Sequence, residues 1–411
     1  MTRRGAGQAA GSWAGRWAAG VALILGALVG GASGAWGQGA AAQEPWAANP
    51  LYEAVEEQLR RLDTGELDAF FQGLDEEIRR QLPVQSLGDL LLDPGGDLRL
   101  DPVALARDLL QYLSREVLVQ SRLLAQLVLL AVLCALLQNL ASSLSRAATD
   151  LGFLVAYMVV IFLGVQSFAL ASGIGRETMA DMRSLMLALL PLLSTMLAAV
   201  GAFSSAALFH PLLITAVNLV VHVIDQVVFP LLLLAAVLGV VGRLAAEFPV
   251  SRLAGLLRQG AVVFLGLGFT LFLGVMVIRG AIAPVADGVG LRAAKFLAGT
   301  FIPVVGGMMA DAVEVVVGGS LLVKNALGVL GMVTLLVLLA FPMMKVLALV
   351  VIYRLATALA QPISDPRLVD ALGTMADTLT VLVVSVATAA LMFFVAIVVV
   401  VGVGNLAAVV R

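Results

Sequence analysis

An all-α polytopic membrane protein is the fold class that three observations predict. Of 411 residues, 61% are hydrophobic and only 13% charged, against roughly 45–50% and about 25% in soluble domains, and the mean hydropathy is +1.03. From Leu123 onward one apolar segment follows another, with approximate bounds 123–143, 151–174, 184–203, 207–229, 230–242, 261–279, 301–317, 321–341, 342–360 and 378–403. Prolines and flanking charges recur among these segments at matched intervals, the mark of an internal repeat. Together they exclude a soluble enzyme and a disordered chain, and predict about 7–10 hydrophobic helices. A formal charge of −2 offers no global attraction to nucleic acid, so no nucleic-acid partner is expected. Cys134 is the single cysteine and can form neither an internal disulfide nor a zinc or iron–sulfur site.

Residues 1–42 read as a signal peptide. Arg3, Arg4 and Arg16 precede an apolar stretch from Trp17 to Val29, and Ala40-Ala41-Ala42 before Gln43 offers a cleavage site. The alternative is an uncleaved anchor, for which an apolar run of about 13 residues is short of the roughly 20 needed to span. Residues 43–122 are the extended polar stretch, with 16 acidic residues against 8 arginines. Leu51, Val55, Leu59 and Leu62, then Leu67, Phe70, Phe71, Leu74 and Ile78, keep helical spacing. This is a small acidic helical domain, extracytoplasmic if it follows a signal peptide. Its paired carboxylates, Glu56-Glu57 and Glu76-Glu77, fit a solvated helix face. Asp101 and Pro102 suit the cap and first turn of a helix running on into the membrane. A first transmembrane helix is expected within 123–144.

Two copies of a unit of about 112 residues follow, over 145–250 and 251–364, and a loop with a last transmembrane helix fills 365–411. Phe162-Leu163-Gly164-Val165 matches Phe272-Leu273-Gly274-Val275. Pro191 and Pro230 stand 39 positions apart, as do Pro303 and Pro342, and Phe precedes the second proline both times. Arg243-Leu244-Ala245 pairs with Arg354-Leu355-Ala356, and Pro249-Val250-Ser251 with Pro362-Ile363-Ser364. Phe229-Pro230 lies within a 36-residue apolar stretch, about 54 Å as one helix and far beyond a hydrocarbon core of roughly 30 Å. Helix breaks or hinges are therefore expected at Pro191, Pro230, Pro303 and Pro342. The amphipathic stretches 175–184 and 284–300 are expected at the interface. Arg146, Arg243, Arg252, Arg258, Arg354 and Arg367 recur at unit boundaries. Read as cytosolic under the positive-inside rule, they demand an even number of crossings per unit and parallel repeats; a re-entrant segment would invert them.

Ionisable groups within apolar segments cost about 2.5–17 kcal/mol at the bilayer centre and so face protein or water. His210, Asp225, Asp311, Glu314, Lys324 and Lys345 form the candidate polar set. Asp311 and Glu314 share a helix face, placed to line a polar passage or to pair with Lys324; a packing ion pair is the structural alternative. His210, His222 and Asp225 would make a metal site only with a fourth ligand that the pattern lacks. Lys295, Lys324 and Lys345 are the only lysines, and a snorkelling lysine at a segment end is the ordinary alternative reading. No P-loop, His-Glu-x-x-His or Gly-x-Ser-x-Gly motif is present. No enzyme activity and no cofactor are expected.

Phe209-His210-Pro211, Leu291-Arg292-Ala293-Ala294-Lys295-Phe296 followed by Phe301-Ile302-Pro303-Val304, and Leu321-Leu322-Val323-Lys324-Asn325 resemble the stage III sporulation protein AE family. The likeness covers roughly 120–405, including Phe341-Pro342 with Lys345 and the closing Gly-x-Gly-Asn. The resemblance implies a polytopic subunit of the multiprotein, secretion-like channel that links mother cell and forespore and supports late forespore gene expression. It implies as partners other stage III channel proteins, a separate cytosolic ATPase and ring-forming membrane proteins among them, in the mother-cell membrane around the forespore. Homo-oligomerisation is compatible with that role. Two other readings stay open: a stand-alone secondary transporter with a midplane site between the repeats, and a non-conducting scaffold.

Overall fold

The computed structural model describes residues 50–80, 82, 102–139, 146–243, 251–301 and 306–409. The expected signal peptide and Pro303 lie outside the described residues, as do the side chains of Asp311 and Glu314. The chain divides into two compact units, Met1–Asn49 with Arg99–Asp108, and Pro50–Leu98 with Leu109–Arg411. The helical bundle is the second.

Every element among the described residues is helical. Helices α1 (Pro50–Arg61), α2 (Gly65–Gly73) and α3 (Glu76–Arg79) precede α4 (Pro102–Val119) and α5 (Ser121–Asn139). Next come α6 (Arg146–Ala199), α7 (Phe203–Val223), a π-helical turn at Ile224–Val228, and α8 (Phe229–Val241). The last three are α9 (Ser251–Phe301), α10 (Gly306–Ala360) and α11 (Pro366–Val409). Helix α4 begins at Pro102, where the proline's fixed φ and missing N–H cost a first turn nothing. Six helices among the described residues, α7 through α8 counted as one, are long and apolar enough to cross a membrane.

The prolines do not divide the helices as expected. Pro191 lies inside α6 and Pro342 inside α10, and both helices continue through them. A proline removes one i→i−4 donor, and a ladder of more than 50 residues, packed along its length, absorbs that loss. Pro230 follows the π turn, closed by the Phe229 amide donating to the Ile224 carbonyl, so the Phe-Pro junction widens the helix without folding it back. The stretch 175–184 is likewise no separate interfacial element but the middle of α6.

Paired contacts give the directions. Along α6, Tyr157 donates to the Val240 carbonyl at 2.8 Å, Gly175 packs on Phe229, and Ser194 meets His210, so α7–α8 runs antiparallel to α6. Tyr353 bonds Ser167 at 2.9 Å while Gly331 packs on Leu189, which makes α10 antiparallel to α6 as well. Gly164 with Met375, Gly175 with Val386, and Leu197 with Gly404 set α11 parallel to α6. Arg258 with Asp377 and Gly280 with Val399 set α9 parallel to α11. Of the two sequence stretches, 145–250 is thus a long two-helix hairpin, and 251–364 supplies two antiparallel helices, α9 and α10, that each pack on α11. The first turns at Val200–Ala202, where Gly201 takes φ 89°. Its amide donates to Ala198 and that of Ala202 to Leu197, a Schellman cap that needs a residue free to enter the left-handed region.

The core is packed at close range by small residues. A Cβ on Gly331 would stand 2.6 Å from Leu189 Cδ1, and one on Gly239 would stand 2.7 Å from Thr374 Cγ2. Gly331→Val is therefore expected to push α10 off α6 and cost about 1–3 kcal/mol, read as a lowered unfolding temperature of the purified protein.

Candidate functional site

The bundle separates the candidate polar residues into stations. Lys324 on α10 is fully buried, and its Nζ donates to the Val401 carbonyl at 2.9 Å and to Asn405 Oδ1 at 2.8 Å. Gly404 leaves the space: a Cβ there would overlap Lys324 Nζ and stand 3.0 Å from Cδ. The Gly-x-Gly-Asn segment of α11 is thus a cradle in which backbone carbonyl and side-chain amide oxygen replace water around an ammonium group.

Asp225 occupies the π turn and accepts from Arg176 Nε at 2.5 Å and from Gln226 Nε2 at 2.8 Å. The Arg176 guanidinium also lies 5.9 Å from the centroid of the Phe229 ring, within cation–π range. Arg176 is 53% exposed and Asp225 28%. A π turn carries one extra residue, and here it brings the carboxylate round to meet the arginine.

His210 Nδ1 pairs with Ser194 Oγ at 3.2 Å, one turn of α6 before Leu197, which packs at Gly404. The His210–His222–Asp225 metal arrangement does not form: Asp225 follows His210 by 15 positions, about 22 Å of helix. Among the described residues no three His, Cys, Asp or Glu gather to hold a metal. Lys345 is half-buried on α10, about 32 Å along the helix from Lys324.

A station that the candidate set omits is Asp287 on α9, 6% exposed. Its Oδ1 accepts from the Ser204 amide at 2.8 Å, and its Oδ2 accepts from the Ser205 amide at 3.2 Å and from the Ser205 hydroxyl. It caps the N-terminus of α7 from another helix and ties α9 to α7. At the other end of the bundle, Arg243 pairs with Asp370, and Arg258 and Arg354 share Asp377 at 3.3 Å each. Three of the boundary arginines therefore gather on one end.

Such a chain, with six membrane-length apolar helices, charged clusters where helices end and polar stations between them, is a multi-pass membrane protein. The profile of the family described as Stage III sporulation protein AE matches residues 86–404. Stage III sporulation protein AE of Bacillus subtilis (strain 168) is 36% identical over 360 residues, covering 87% of this chain and 90% of that protein. No solved structure matches. The chain belongs to the stage III sporulation protein AE family, and that membership implies a role in sporulation.

Proposed function

We propose that this chain is an integral membrane subunit of the secretion-like channel complex linking mother cell and forespore, required for late forespore gene expression and spore development. The single observation that carries the reading is the family match over most of the chain, supported by six helices long and apolar enough to cross a membrane. On this reading residues 1–42 are a signal peptide, the acidic domain lies between the two membranes, and the arginine-rich end faces the mother-cell cytosol. Its partners are other stage III proteins, a separate cytosolic ATPase and ring-forming membrane proteins among them. The chain is not an enzyme and holds no cofactor.

In the organism that encodes it, deleting the gene is expected to stop late forespore gene expression after engulfment. The full-length chain should restore it and co-purify with the complex. Normal late expression without the chain would overturn the proposal. The buried Lys324 favours a second reading, a stand-alone transporter: purified protein alone would then bind a solute and lose that binding in Lys324→Met.

A further inference from the structure

We infer that the bundle meets two different surroundings at one level: the outer face of α9 lies against lipid, while the outer face of α6 between Gly173 and Thr195 is one wall of a water-filled passage. The passage rests on the channel-subunit reading above; the pattern of lipid and water on the two helices does not.

The two helices show their free faces on opposite sides of a layer. Helices α7, α8 and α11 each pack on both α6 and α9 and so lie between them. Along that layer Gly175 packs on Val386 and Gly404 on Leu197, while Gly280 packs on Val399 and Arg258 pairs with Asp377. Through α11 these contacts set Ser184 of α6 level, within a turn, with Val275 of α9.

At that level the free faces differ in kind. On α9, Phe264, Leu267, Leu271, Val275, Val277 and Ile278 are exposed, and positions 259–278, between Arg258 and Arg279, include nothing ionisable. Such a run rises about 30 Å, enough to cross a hydrocarbon core, and it forms most of the candidate span Arg252–Ala283. On α6 no large hydrophobic side chain is exposed after Leu170. Its free face carries Arg176, Glu177, Ala180, Arg183, Ser184 and Thr195 instead.

The polar side continues beyond α6. Helix α2 packs on α6, and α1 and α3 pack on α10, with Gln58 of α1 donating to Ser320 Oγ at 2.6 Å. These three helices turn Arg60, Glu66, Asp68, Glu76 and Arg79 outward. On α4, which reaches this level where Tyr112 meets Phe341, Leu110 is exposed among Gln111, Ser114 and Arg115. One flat boundary between lipid and water cannot serve both sides. Lifting this half of the bundle out of the membrane strands the α9 face in water, against the hydrophobic effect. Immersing it on all sides lays Glu177 and Arg183 against lipid, where ionised groups are costly. Both faces are satisfied when lipid lies against α9 and water against α6, since polar surface at membrane depth is stable where it lines an aqueous cavity. Arg176 and Arg183 beside Glu177 give the wall both signs of charge, which suits hydrated solutes rather than selection of one ion sign.

The test uses the full chain in lipid nanodiscs with Cys134→Ser and one spin label at Ala180, Ser184, Leu271 or Val275, two pairs of exposed positions matched in level. Collision with oxygen, which concentrates in lipid, is compared with collision with a water-soluble nickel chelate. The oxygen-to-nickel ratio is expected to be severalfold higher at Leu271 and Val275 than at Ala180 and Ser184. Water-like ratios at all four positions would place this half of the bundle outside the membrane and overturn the inference, and hydrocarbon-like ratios at all four would do the same. Weak collision with both reagents at either pair would mean that protein covers that face, which also overturns it. If the ratios fail while deletion of the gene still stops late forespore expression, the wall falls and the channel-subunit reading stands.

Discussion

Exchanging Lys324 for glutamate is expected to be among the most damaging single changes in the bundle. The lysine is fully buried, and both groups that hold its ammonium, the Val401 carbonyl and Asn405 Oδ1, are acceptors. Glutamate would set a third acceptor, and at neutral pH a negative charge, against them. Uncompensated buried charge of this kind costs about 3–5 kcal/mol. Lys324→Met keeps the length of the side chain and removes the charge, leaving Asn405 without its donor at about 1–3 kcal/mol. Gly404→Leu should resemble the glutamate variant, because a side chain there occupies the place of Lys324 Nζ. Unfolding temperature in detergent, with the fraction surviving size exclusion, ranks the three. A Lys324→Glu protein as stable as the parent would contradict the cradle.

The second large effect is expected at Asp287. Its carboxylate accepts from two backbone amides and a hydroxyl at the first turn of α7, where the helix has no further residue to receive those amides. Asp287→Leu leaves the donors unmet in a buried place, a loss of about 2–4 kcal/mol given a charged acceptor and an N-cap removed together. Asp287→Asn retains one acceptor oxygen and should lose about half as much. Hydrogen exchange localises the effect: the amides of Ser204 and Ser205 should exchange faster in the leucine variant, while those around Tyr353 in α10 stay protected. Uniform exchange across the bundle would mean that Asp287 supports the whole fold rather than this one joint.

The helical membrane class was legible from composition and segment spacing, and the start of α4 from the Asp101-Pro102 pair. Helix continuity was not. Ten apolar segments merge into fewer, longer helices because neither a proline nor a short charged stretch ends an i→i−4 ladder held by neighbours on both sides. That same misreading hid Arg176 and Asp287, both placed in stretches assigned to the interface. Lys324 stood out by its rarity, but its partners lie 77 and 81 positions away, and no local periodicity connects them. The closing Gly-x-Gly-Asn held a usable signal, since a glycine beside an asparagine near a helix end leaves room for a long side chain from a neighbour. Asp225 was visible as a charge in an apolar run, while its encounter with Arg176 depends on the π turn, which sequence spacing does not announce.

Helix α6 is continuous over 54 residues, a rod of about 80 Å. A rod of that length is a lever: a tilt of about 5° at the arginine-rich end sweeps its opposite tip through about 7 Å. Its antiparallel neighbour is jointed at mid-length, since α7 and α8 meet at the π turn, whereas the proline of α6, Pro191, lies near its far tip. Motion imposed at one end of the pair would arrive at the other as a sliding of the jointed helix along the stiff one, with the Arg176–Asp225 pair at the pivot.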